Sequence, residues 1–96
     1  MNPICEAIRN QAVVTFEYDG SRRVVEPYVL GVYRDGDEML HTWQRSGGSG
    51  SGWRDFETAK IHSFALTGQS FRRPHAGYNP SGKPYVRITC CLEPVG

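Results

Sequence analysis

Ninety-six residues carry a net charge of +1 at pH 7, with 39% apolar, 22% charged and eleven aromatic residues among them. That length holds one small domain, residues 1–96, and the supply of large rings argues against wholesale disorder. No stretch approaches the roughly 18 consecutive apolar residues of a membrane-crossing helix, and residues 1–10 lack the basic start and apolar run of a secretory signal.

Three cysteines cannot all pair, and Cys90 and Cys91 are neighbours, which makes a poor disulfide framework and favours a reducing cytoplasm. Six prolines and eleven glycines favour turns over long helices. The charge is uneven. Residues 1–50 sum to −2 and residues 51–96 to +3, and Lys60, Arg72, Arg73, Lys83 and Arg87 follow one another from Thr58 to Leu92 without an acidic residue. That local field suits an anionic partner.

In chain order, Asn2 is a good N-cap, Pro3 fits a first helical position, and Ile4, Ala7 and Ile8 form an apolar stripe that ends near Asn10. So short a helix must dock on something. Val13 to Tyr18 alternates as a strand, with Val14, Phe16 and Tyr18 on one face. Asp19-Gly20 signals a hairpin, and Arg23 to Tyr33 reads as a longer strand that Pro27 confines to an edge or a bulge. Asp35-Gly36 turns the chain into a third strand, Glu38 to Gln44. Residues 46–52 are serine and glycine only, which reads as a floppy hairpin loop or, functionally, as a mobile flap. Trp53 to Glu57 and Ile61 to Leu66 give two more strands, the last with His62, Phe64 and Leu66 on one face. Five short strands between turns predict a mainly β fold, a small barrel or curled sheet. Residues 72–96 form a Gly/Pro-rich basic tail in which Tyr85 to Leu92 adds a further strand.

These landmarks in this order resemble the WYL domain of bacterial regulators. The residues that carry the likeness are Tyr18-Asp19-Gly20, Arg23 to Tyr28 with its Glu26-Pro27, Gly36, Trp53-Arg54-Asp55-Phe56, Lys60-Ile61 and Phe71, within residues 4–71; Gly77 to Pro80 is similar to the tail of small stand-alone relatives. The family's Trp-Tyr-Leu falls on Glu38-Met39-Leu40, keeping Leu40 alone. The resemblance implies an SH3-like (Sm-like) five-stranded barrel and a ligand-sensing or nucleic-acid-binding module. It also implies that a regulatory role is exercised through another protein, because helix-turn-helix domains attached to such modules have no room here.

The matching arginine of that family lines a basic ligand pocket, so the resemblance assigns Arg54 to an anion, with Tyr28 and Trp53 as rings for a base and Lys60 in support. An exposed strand arginine paired with Asp55 or Glu57, and a core tyrosine, are the competing readings. Arg72, Arg73, Tyr78, Lys83 and Arg87 interleave charge and rings as a single-strand-binding tail does, and as a solvated tail also does. The histidines and cysteines lack the spacing of a zinc site. No phosphate loop, nucleophile context or usefully placed carboxylate pair is visible, so neither a cofactor nor an enzymatic activity is expected. The expectation is a non-enzymatic cytoplasmic module that binds a nucleotide or single-stranded nucleic acid. The alternative is a protein-interaction or homodimerisation module that uses an unpaired edge and the helix stripe.

Overall fold

A computed structural model describes residues 2–48, 50–72, 74–78 and 85–92. The chain opens with α1 (Pro3–Arg9), and the Asn2 side chain accepts from the N–H groups of Ile4 at 2.9 Å and Cys5 at 3.3 Å. Ala7 and Ile8 are its buried face. Strand β1 (Ala12–Tyr18) follows, and Asp19 and Gly20 both take positive φ, 51° and 77°, as a tight hairpin turn requires. Next come β2 (Ser21–Tyr33), β3 (Glu38–Ser46) and β4 (Gly52–Glu57). A 3-10 turn at Thr58–Lys60 leads to β5 (His62–Ser70), and β6 (Tyr85–Cys91) ends the described chain.

All six strands join one antiparallel sheet in the order β4-β3-β2-β1-β5, with β6 also on β2. Strand β2 is long enough to serve two neighbours along one edge. Residues 21–25 pair with β1 and residues 29–33 with β6, while β3 runs along the other edge. The handover falls at Pro27 and Tyr28. Register with β3 slips between Pro27 and Val29, and proline has no N–H to give to a ladder, so the expected bulge is there and the strand bends.

The bend divides the core in two. Under α1, Ile8, Val14, Phe16, Leu30, Leu40 and Phe56 are closed from solvent, with Phe16 and Phe56 edge to face at 5.0 Å. On the other face Val13, Tyr28, Val29 and Phe71 form a second cluster.

The mainly β fold and the short helix are as expected. The five-stranded closed barrel is not: among the described residues β4 and β5, at the two ends of the order, do not pair with each other, and six strands make an open sheet. Of the face His62, Phe64 and Leu66, only Phe64 packs against the core, and Leu66 is 65% exposed. The Ser/Gly loop has an anchor that its own composition does not show. The buried Gln44 amide donates to the carbonyls of Gly47 at 2.9 Å and Gly50 at 2.5 Å, so a residue outside the loop ties it down.

The cysteines give the sharpest correction. Cys5 and Cys90 form a disulfide across 85 residues of sequence. Adjacent strand residues point to opposite faces, so Cys90 turns toward α1 and Cys91 toward the aromatic cluster. The return of β6 alongside α1 is a long-range event that cysteine spacing does not encode. No helix among the described residues is long and apolar enough to cross a membrane.

Candidate functional site

Strand β4 sends Trp53 and Asp55 to one face and Arg54 and Phe56 to the other. The four residues assigned to an anion pocket therefore do not assemble. Tyr28 and Trp53 do meet, at 5.6 Å between ring centroids, but Tyr28 is 0% exposed, walled in by Phe71 at 5.3 Å and Tyr78 at 4.9 Å. No face of it is open to a base. Arg54 is half-buried and folds back so that Nη1 donates to the Trp53 carbonyl at 3.0 Å. Lys60 lies past the end of β4, its Nζ 3.7 Å from the Glu57 carboxylate.

The tail residues scatter too. Tyr78 is an interior ring whose hydroxyl donates to the Leu92 carbonyl at 2.7 Å. Arg87 is exposed on β6 opposite Val32. Arg73 and Lys83 lie outside the described residues.

What Tyr28 and Trp53 belong to instead is a packed group of rings around the buried Glu26 and the half-buried Asp55, which the sequence did not announce. Glu26, 3% exposed, accepts from the Tyr28 hydroxyl at 2.5 Å and from Arg45 Nε at 2.8 Å, with His75 Nε2 at 3.4 Å. His75 stacks on Trp43 at 4.1 Å, and its backbone N–H donates to the Tyr28 hydroxyl at 3.0 Å. One row along, Asp55 holds His41 Nδ1 at 2.5 Å and accepts from the Tyr33 hydroxyl at 2.9 Å, while His41 stacks on Trp53 at 5.0 Å.

Burial, and then the hydrogen bond to Glu26, push the Tyr28 hydroxyl up; burial and then Asp55 push Tyr33 up to about 12. Both stay protonated donors, and each of the two acids is satisfied. None of these residues lines either of the two clefts between α1 and its neighbouring strands β5 and β6. A signal for half of the group exists: Trp43 with Trp53, and His41 with Asp55, are equidistant from Gly48 in the Ser/Gly loop and pair in register. Nothing local points to His75.

An open concavity lies elsewhere, between α1 and β6. A cleft of about 620 Å³ has Ile8, Ile88, Leu92 and the Cys5–Cys90 disulfide as its apolar lining, and Arg9 and Arg72 as its charged groups. Gln11 fixes one wall, its amide donating to the carbonyls of Phe71 at 3.1 Å and Arg72 at 2.7 Å. Among the described residues neither arginine makes an ion pair, and no carboxylate lines the cleft. The volume falls in the range of small-ligand pockets, about 300–1,000 Å³. Two guanidinium forks beside an apolar wall suit an anion with an apolar or ring-shaped part. Of the described residues expected to bind a ligand, Arg72 alone lines this cleft; Arg9 was not among them, being one more charge on a helix end. Among the described residues no group of three or more His, Cys, Asp and Glu side chains is placed to hold a metal ion. Set against protein-family models, curated proteins and solved structures, the chain matches none of them.

Proposed function

We propose that this chain is a non-enzymatic binding module that takes an anionic ligand, a nucleotide or the end of a single-stranded nucleic acid, in the cleft between α1 and β6. The observation that carries the reading is the pair Arg9 and Arg72, unpaired among the described residues, beside the apolar lining of a cleft of about 620 Å³. Phosphates meet the guanidinium groups and the base meets the apolar wall. The acid-free stretch from Thr58 to Leu92 adds attraction at longer range.

The WYL resemblance supplies the class, a ligand sensor that acts through a partner regulator. The long bent β2, with β1 and β6 along one edge and β3 on the other, supports reading the open sheet as a relative of the SH3-like barrel. We place the module in the bacterial cytoplasm. There the Cys5–Cys90 bond would be transient, since such compartments keep thiols reduced.

The test is a fluorescence-anisotropy titration with labelled ATP and labelled single-stranded DNA and RNA at two salt concentrations. Binding should weaken steeply with salt, disappear in Arg9→Ala/Arg72→Ala and survive in Arg54→Ala. No binding of any probe at low salt would remove the nucleotide and nucleic-acid reading. Loss in Arg54→Ala alone would return the site to the β4 arginine that the family resemblance picked.

A further inference from the structure

The cleft that faces outward with two arginines has a disulfide in its wall. Cys5 and Cys90 both line it, and both are half-buried with a side open to the cavity. Cys5 and Arg9 stand four residues apart on α1, so they project from the same helix face. Arg72 is brought alongside by Gln11. Sulfur, two guanidinium groups and open space are thus together, with no carboxylate among the lining residues to oppose an anion.

Thiol–disulfide exchange is favoured in such surroundings at both of its charged stages. The attacking group is a thiolate and so is the leaving group, and nearby guanidinium charge attracts the first and stabilises the second. We propose that the α1–β6 cleft exchanges its disulfide with anionic thiols, small molecules that bear a thiol together with a carboxylate or phosphate. The inference rests on the anion-binding reading of the same cleft and adds the reactive group of the ligand.

The step balances without a further reagent. The ligand gives up its thiol proton to water, and its thiolate sulfur attacks Sγ of Cys5 or Cys90. A new S–S bond forms to that cysteine, the Cys5–Cys90 bond breaks, and the electron pair leaves on the other cysteine as a thiolate. One disulfide is consumed and one mixed disulfide is made. Opening it removes the covalent tie between α1 and β6, so occupancy by a thiol is converted into looser docking of the helix.

The experiment uses three thiols of nearly equal size: thioglycolate, which is anionic, β-mercaptoethanol, which is neutral, and cysteamine, which is cationic. The oxidised protein is incubated with each, quenched in acid, and the adduct located by peptide mapping and mass spectrometry. Rates per thiolate are divided by each thiol's rate with a small uncharged reference disulfide, so that acidity and intrinsic nucleophilicity both drop out. Thioglycolate should react about tenfold faster than β-mercaptoethanol at low salt, with cysteamine slowest. The adduct should sit on Cys5 or Cys90, and the charge preference should vanish at high salt and in Arg9→Ala/Arg72→Ala.

Equal normalised rates for all three, an adduct on Cys91, or a preference that persists in the double variant would overturn the proposal. The nucleotide titration separates the two claims. Arginine-dependent nucleotide binding without charge-selective exchange sinks the exchange site and leaves the cleft. Charge-selective exchange without nucleotide binding sinks the nucleotide reading and leaves an anion-selective exchange cleft.

Discussion

Tyr28 shows how one side chain can match a ligand-binding signature and serve the interior. It follows Pro27, where the chain bulges, and the bulge turns the ring into the second core instead of out to a base. Its hydroxyl bridges the Glu26 carboxylate and the His75 N–H. Tyr28→Phe keeps the contacts with Trp53, Phe71 and Tyr78 and leaves a buried carboxylate one donor short, a loss of about 1–3 kcal/mol in urea unfolding. No change in the midpoint would show that Glu26 draws its solvation from elsewhere. The same hydroxyls set an alkaline limit. Tyr33 is pushed from 10.0 up to about 12, chiefly by burial, and Tyr28 and Tyr85 are pushed up for the same reason. The unfolded chain therefore releases these protons first. Stability is fully present below pH 10 and falls as pH rises from there through about 12. Tyr33→Phe should make that decline shallower, measured as unfolding midpoint against pH, and an unchanged slope would exclude Tyr33 from it.

Elements were legible where their causes are local. Asn2 and Pro3 cap the helix, Asp19-Gly20 turns the first hairpin, and Pro27 breaks the ladder, each through a property of the residue itself. The Ser/Gly loop has an anchor outside its own sequence. Gln44 is fully buried, accepts from Arg23 Nη1 at 3.0 Å, and hands both amide protons to the loop carbonyls. Gln44→Ala should cost about 1–3 kcal/mol by stranding those groups, and should speed cleavage by a non-specific protease within residues 46–52. Unchanged proteolysis would mean that the loop's own turns hold it. The candidate cleft was illegible for a related reason. Its two arginines are 63 positions apart, and only the pairing of β6 with β2 and the Gln11 bonds to Phe71 and Arg72 bring α1, β6 and residue 72 together.

Across the whole molecule the sheet is unequally protected. Strands β1, β2 and β3 hold nearly all the fully buried residues, whereas β5 is exposed at every position except Phe64 and has β1 as its sole partner among the described residues. The two ends of the sheet also differ in kind. β4 is six residues with Arg54, Asp55 and Glu57, charges that discourage a foreign strand, while residues 63–70 of β5 carry none. What interrupts β5 is backbone: Ser63 and Gly68 take positive φ, 57° and 88°, at the two places where its register with β1 slips. Local opening follows burial and partners, so amide exchange should rank β1 to β3 slowest and β5 fastest. β6 should lie between, because one face of its support is the disulfide to α1. Reduction should then accelerate exchange in α1 and β6 while leaving β1 to β3 nearly unchanged. If reduction accelerates all six strands together, the disulfide stabilises the whole fold and not the helix docking alone. If β5 amides exchange as slowly as those of β2 in a concentration-dependent way, its outer edge is covered by a second copy in solution, and the bulges have not been enough to keep that edge single.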